Sequence, residues 1–168
     1  MTLFFAQPYD ISATGFYFQD EASFRQRIGK VRNAYGQAVE EFEIQFIDGE
    51  AIDCAFAEAW AISHANILRF MDVLEEWDEG QKLRFIIAIG ECGYRFDPAS
   101  VDPDDFEVDI YELDSMREPA EQFVDEGLFG DIPERLQHYI DYDAMARDLA
   151  ADYTETEIVG RRLVYRCA

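Results

Sequence analysis

Residues 117–152 constrain the fold most, because this segment carries ten acidic residues at mostly helical spacing against only three arginines. Like charges on adjacent helical turns repel one another by roughly a few tenths of a kcal/mol per pair. These side chains must therefore face solvent, and the crowding of one sign lowers the stability of the fold. The charge is expected to serve something other than folding. The ten residues are Glu118, Glu121, Asp125, Glu126, Asp131, Glu134, Asp141, Asp143, Asp148 and Asp152.

Apolar residues at helical spacing supply the inner sides of these acidic helices. On the first helix they are Ala120, Phe123, Val124 and Leu128. Gly130 is predicted to cap its C-terminus, and Asp131 with Pro133 is predicted to begin a second short helix, because aspartate satisfies free N–H groups and proline tolerates the first turn. The two chain reversals gather the acidic residues on one compact surface.

A small sheet is predicted to accompany these helices. The segment Phe106–Glu112 alternates apolar residues with Glu107 and Asp109, which is typical of a strand with one buried face. Strands at 157–159 and 161–166, joined at Gly160, form a predicted hairpin that pairs with it. Glu107, Asp109 and the ten helical residues named above are called the acidic face below.

The N-terminal part predicts a short antiparallel sheet covered by one helix. Its strands are expected at 2–7, 16–19 and 41–48, the last with clean alternation of apolar and polar residues. The helix is predicted to begin at Asp20 and to end at Tyr35-Gly36. It carries the basic patch, which consists of Arg25, Arg27, Lys30 and Arg32.

From residue 50 the apolar period becomes helical, with predicted helices at 52–60 and from a Ser63 cap onward. Residues 83–89 fit either a helix or a buried strand, and the spacing favours the helix. Asp-Pro pairs at 97–98 and 102–103 indicate a boundary loop. The predicted fold is therefore α+β with three small subdomains, at residues 1–49, 50–103 and 104–168.

The net charge of −22 repels nucleic acid and anionic membranes and attracts basic surfaces. Direct nucleic-acid binding is therefore not expected. The N-terminus lacks the pattern of a signal peptide and no segment is long enough to span a bilayer, so a cytoplasmic location is expected.

No catalytic or metal-binding pattern is evident in the sequence. Carboxylates are too numerous for any pair to indicate catalysis, and nothing marks one of them for a raised pKa. His64 and His138 are isolated, the cysteines lack metal-type spacing, and Asp102, Asp104 and Asp105 do not continue into a calcium-binding loop. We therefore expect neither an enzyme nor a cofactor.

Four explanations of the acidic face compete. A solubilising surface normally mixes both signs of charge, and adaptation to high salt would spread the acid evenly, whereas here it is concentrated in the C-terminal part. Imitation of duplex DNA, which carries one charge per about 1.7 Å of axis, explains the concentration best. An acidic module that binds another basic DNA-binding or nucleoid protein remains the alternative.

The segment 125–136, DEGLFGDIPERL, continues as HYIDYD at 138–143 and ARDL at 146–149. It resembles the C-terminal signature of the ArdA antirestriction proteins. The resemblance extends over the whole chain, including the aromatic first strand and the terminal Tyr-Arg strand. Residues Gly127, Leu128, Phe129, Gly130, Ile132 and Pro133 are called the motif segment below.

The resemblance implies an elongated homodimer of three-part subunits, encoded on mobile genetic elements. Such a protein occupies the DNA site of type I restriction-modification enzymes, in the methyltransferase core, and acts stoichiometrically. The resemblance also implies that the motif segment takes part in antirestriction and lies near the dimer contact.

Overall fold

A computed structural model describes residues 1–168, apart from the side chain of Ser115. The chain forms two compact units, Met1–Phe106 and Glu107–Ala168. In the described chain, helices accompany two three-stranded antiparallel sheets, which confirms the predicted α+β class. The division into three subdomains stays a prediction. None of the described helices has the length and apolar composition needed to span a membrane.

The sheet of the first unit has the strand order β2-β1-β3 and is antiparallel throughout. Strand β1 is Leu3–Pro8, β2 is Phe16–Phe18 and β3 is Phe42–Asp48. Buried and half-buried residues alternate along β1, as the period of a half-buried strand requires. The three predicted strands are thus confirmed, the third of them from its alternation of apolar and polar residues.

Helix α1, Glu21–Ile28, begins where predicted, because the Asp20 carboxylate accepts the N–H of Ser23 at 2.7 Å. The prediction that it continues to Tyr35 was wrong. After Gly29 the chain turns back on itself, with a bridge between Arg32 and Ala38. The Asn33 side chain stabilises that turn by accepting the N–H groups of Tyr35 and Gln37.

Three helices complete the first unit: α2, Ala51–Trp60; α3, Ile67–Glu76; and α4, Glu79–Gly90. Residues 83–89 are helical, as the spacing favours. Asn66, not Ser63, occupies the cap position of α3, and the Asn66 side chain accepts the Ser63 N–H at 2.8 Å. The prediction that Ser63 caps α3 was therefore wrong, because the cap residue lies three positions later in the chain.

An aromatic cluster holds this unit together. Rings of α2, α3, α4 and the residue after α3 approach with centroid separations of 5.2–6.3 Å. They belong to Phe56, Trp60, Phe70, Trp77 and Phe85. Phe4 of β1 reaches Phe70 at 6.1 Å, so the sheet packs on the helices. Beside the cluster, Lys82 Nζ donates to Asp53 Oδ1 at 2.7 Å, and both side chains are buried.

In the second unit, strands β4, Val108–Glu112, β5, Thr154–Ile158, and β6, Arg161–Cys167, form a sheet of order β4-β6-β5. The predicted terminal hairpin and its pairing with the earlier strand are confirmed, although β5 begins at Thr154. Helices α5, Arg117–Asp125, α6, Glu134–Gln137, and α7, Tyr142–Ala151, lie between β4 and β5 in the chain.

Candidate functional site

Helices α5 and α7 pack against each other, and together with their cap residues Glu126, Asp141 and Asp152 they carry eight of the twelve members of the acidic face. On α5, Ala120 and Val124 are buried, and Glu118 and Asp125 of the same helix are exposed. This is the amphipathic arrangement that the spacing predicts. Helix α7 begins at Asp141, whose carboxylate accepts the N–H of Ala144 at 2.9 Å. Asp141 is therefore a helix cap as well as a surface charge.

The acidic face is open to solvent along its length. Eleven of its twelve side chains are exposed, and Glu121 is half-buried. The exposed members are Glu107, Asp109, Glu118, Asp125, Glu126, Asp131, Glu134, Asp141, Asp143, Asp148 and Asp152. Sequence reasoning thus identified the exposure of these residues, although their role as a binding surface stays a prediction.

Three members of the acidic face are tied to arginines. Arg117 reaches Glu121 at 2.9 Å on its own helix and Asp143 at 3.1 Å on α7. Arg166 of β6 reaches Asp109 of β4 at 2.8 Å. Each of these pairs must be broken or shared before its carboxylate meets another cation, so these three carboxylates are less available to a partner.

The ion pairs also raise the pKa values of Arg117 and Arg166. The hydrogen bond to Glu121, followed by the charge of Asp143, raises the pKa of Arg117 above its ordinary value. The hydrogen bond to Asp109 raises the pKa of Arg166 in the same way. The Arg166 guanidinium also lies 5.1 Å from the ring centre of Tyr153. These arginines remain charged and fixed to the surface of the unit.

Six members of the acidic face form neither an ion pair nor a side-chain hydrogen bond among the described residues, whereas Glu126 accepts a hydrogen bond from Gln122 and Asp141 one from the Ala144 N–H. They are Glu118, Asp125, Asp131, Glu134, Asp148 and Asp152. We call them the unpaired carboxylates. They are the members whose charge is fully available to a basic partner, a distinction that the sequence did not reveal.

The motif segment follows α5 and begins with its C-terminal cap. Gly127 has φ +76°, its N–H donates to Val124 O at 3.1 Å, and the Leu128 N–H donates to Phe123 O at 3.0 Å. This is the left-handed glycine cap of a helix. The prediction that Gly130 caps this helix was wrong, because α5 ends at Asp125, before Leu128 is reached. Gly130, with φ +86°, closes the next turn by donating to Gly127 O.

The second predicted cap was also wrong. Pro133, not Asp131, occupies the cap position of α6, and no side chain caps that helix by a hydrogen bond. Proline has no N–H and fixes its own φ, so it fits this position without help from the aspartate. Asp131 is left exposed, as a surface charge.

An exposed apolar surface surrounds the motif segment. Leu128 is 65% exposed and Phe129 53% exposed, and on or beside α6 Leu136 is 47% and Tyr139 85% exposed. Leu128 was expected on the inner side of α5, and this was wrong, because the helix ends before it. Leu136 and Tyr139 were not predicted as surface residues, although both fall in the sequence signature. Four exposed apolar residues of this size within residues 128–139 are typical of an interaction site.

Within the described residues, no group of three or more His, Cys, Asp or Glu side chains is placed to hold a metal ion. The acidic face instead spreads its carboxylates over the helices α5, α6 and α7, the residues that flank these helices, and the strand β4 with the residue before it. Such a surface can attract a large basic partner.

The model of the protein family described as Antirestriction protein (ArdA) matches residues 12–160. Among curated proteins, none matches the chain. The family match includes the whole acidic face, the motif segment and the basic patch.

Proposed function

The chain belongs to the ArdA family of antirestriction proteins, and from this membership we propose that it inhibits type I restriction-modification enzymes by imitating the charge of duplex DNA. The acidic face occupies the DNA-binding groove of the methyltransferase core. The lysines and arginines that would neutralise phosphates there neutralise carboxylates instead. The observation that carries the proposal is the set of unpaired carboxylates.

The charge density of α5 supports this imitation. Glu118, Glu121, Asp125 and Glu126 lie within eight residue steps, which span about 12 Å at 1.5 Å per residue. This gives one carboxylate per roughly 3–4 Å, close to the spacing of about 3.4 Å per charge along one DNA strand. Helix α7, packed beside α5, adds a second acidic row. Two adjacent rows are the minimum that an imitation of a duplex requires.

The motif segment supports self-association. Leu128, Phe129, Leu136 and Tyr139 place apolar side chains in solvent on the most acidic part of the chain. Burying this surface against a second copy removes it from water and gains roughly 25 cal/mol per Å² of apolar area. We therefore place the contact of a homodimer at the motif segment and α6. Two copies would extend the acidic surface beyond the length of one chain.

The proposed inhibitor is not an enzyme and needs no cofactor. It acts by occupancy, so its effect is stoichiometric and no single carboxylate is essential. Its target is cytoplasmic, which places its action in the cytoplasm, and its family suggests that it is encoded on a mobile genetic element.

The direct test is displacement of fluorescently labelled target DNA from a purified type I methyltransferase core. At low salt, the protein is expected to release the DNA at near one dimer per binding site, and added salt is expected to weaken the complex of the protein with the core when that complex is measured without DNA. DNA that stays bound at saturating protein would refute inhibition by mimicry. The matched control is the same protein with the six unpaired carboxylates converted to amides.

The alternative partner is another basic DNA-binding or nucleoid protein. A pull-down from otherwise identical cells with and without a type I system distinguishes the two. Restriction-modification subunits should dominate the bound fraction in the first strain. If the same nucleoid protein dominates in both strains, the alternative is correct.

A further inference from the structure

The basic patch lies on the first unit beside a surface pocket of about 400 Å³. Arg27, Lys30 and Arg32 contribute to its wall, together with the hydroxyl-bearing side chains of Ser12 and Thr14. A pocket of this volume is within the range that small-molecule ligands occupy. Its cationic lining contrasts with the net charge of −22 of the whole chain.

These three cations have no carboxylate within ion-pair distance in the described chain, although acidic residues greatly outnumber basic ones. Arg27 donates instead to the Tyr17 carbonyl at 3.3 Å, and Arg32 to the carbonyls of Gly29 and Val31, both at 2.9 Å. Each guanidinium has five N–H donors, so donors remain for a ligand. Arg25 of the same patch is different, because it pairs with Glu21 on α1 and lies outside the pocket.

Hydrogen bonds between two loops fix the pocket wall. Asn33 donates to the Asp10 carboxylate at 3.0 Å, and the Ala34 N–H donates to the Ser12 hydroxyl at 3.1 Å. The Asp10 carboxylate is held by Ser12 and Asn33, and Asp10 does not line the pocket. These hydrogen bonds, that with Ser12 first, lower the pKa of Asp10. The wall is therefore shaped before any ligand arrives.

We propose that this pocket binds a small phosphate-bearing anion, held by Arg27, Lys30 and Arg32. Phosphate suits the pocket because its oxygens accept several charge-assisted hydrogen bonds from arginine and lysine at once. A long polyanion suits it less, because the chain has a net charge of −22 and its overall field opposes the approach of many phosphates. The site is separate from the acidic face in sequence and in chemistry, and it does not depend on the proposed inhibition.

The test uses the full chain, labelled with ¹⁵N, and titrations with inorganic phosphate and with a nucleoside monophosphate at low salt. Amide signals of residues 12–14 and 27–34 are expected to shift saturably with either probe. Lys30→Gln is expected to weaken binding about tenfold, because it removes one charge that no carboxylate holds in place. The matched control, Arg25→Gln, removes the same charge outside the pocket and should change affinity less than twofold.

Three results would overturn the proposal. The first is the absence of saturable shifts at millimolar phosphate, and the second is equal binding by the Lys30 and Arg25 variants. A 5′-phosphorylated oligonucleotide that binds these residues more tightly than the mononucleotide would also overturn it, in favour of nucleic acid. Because Lys30 is exposed and makes no described side-chain contact, its replacement leaves the fold intact, which circular dichroism checks.

Discussion

Converting all six unpaired carboxylates to amides is the sharpest test of the distributed-charge mechanism. The variant carries Glu118→Gln, Asp125→Asn, Asp131→Asn, Glu134→Gln, Asp148→Asn and Asp152→Asn. Each change removes one charge and keeps the shape of the side chain. None of these carboxylates holds an arginine in the described structure, so the fold loses no ion pair. The fold should gain stability, because self-repulsion falls.

The expected loss of binding affinity can be estimated from the exposure of these carboxylates. An exposed ion pair contributes about 0.2–1 kcal/mol, so one neutralised carboxylate should weaken the complex only about 1.4- to 5-fold. Six such losses of about 0.5 kcal/mol each add to about 3 kcal/mol, or roughly 150-fold, if the sites act independently. The salt dependence of binding should become shallower at the same time, since fewer charges meet across the interface.

The assay is competition with labelled DNA for the methyltransferase core over a range of salt concentrations. The matched control changes six exposed acids of the first unit in the same way, and leaves the acidic face complete. They are Glu40, Glu41, Glu50, Glu58, Asp72 and Glu75. Equal weakening by both variants would mean that net charge matters and the acidic face does not. If one of the six single changes alone abolished inhibition, the distributed mechanism would be refuted.

Three further predictions concern the fold and are measured by urea unfolding. Lys82→Ala leaves the buried Asp53 carboxylate without its cation and should lower the free energy of unfolding by about 3–5 kcal/mol. A loss below about 1 kcal/mol would contradict the burial of the pair. Gly127→Ala should cost about 1–2 kcal/mol from its positive φ alone, because a methyl group there meets no neighbouring atom. The pKa of Asp20 is lowered in the folded protein, mainly by the hydrogen bond from the Ser23 N–H. The ionised carboxylate therefore stabilises the fold at pH values above its unfolded pKa of about 3.9. This stabilisation is lost as the pH falls through the lower pKa of the folded state. Asp20→Asn keeps the cap and should therefore reduce the acid sensitivity of the unfolding midpoint between pH 5 and pH 2; an unchanged pH profile would exclude this carboxylate as a cause.

Periodicity predicted the regular elements well, and local turn chemistry was less predictable. Strand β3 alternates so cleanly that only one strand register buries Phe42 and Ile44 together. The end of α5 offers two glycines three residues apart, and both have positive φ. Composition does not decide which of them caps the helix, because that depends on where the apolar inner face stops contacting the core. The structure shows that the inner face of α5 stops contacting the core after Val124.

The availability of each carboxylate was beyond sequence reasoning for a different reason. Asp109 and Arg166 are 57 residues apart, and the pairing of β4 with β6 brings them together. Arg117 and Asp143 are 26 residues apart and meet where α5 packs on α7. The sequence counts the charges, but only the tertiary fold determines which of them are already neutralised.

The placement of the arginines in the second unit therefore matters as much as the number of acids. The arginines of β6 meet carboxylates of its two neighbouring strands: Arg161 pairs with Glu112, Arg162 with Glu155 and Arg166 with Asp109. These cross-strand pairs relieve repulsion within the sheet. On the helices, Glu121 and Asp143 share Arg117 and have to release it before binding a lysine of the groove, which reduces the net gain from these two carboxylates. Charge neutralisation is concentrated on the sheet, and the helices keep most of their charge for a partner.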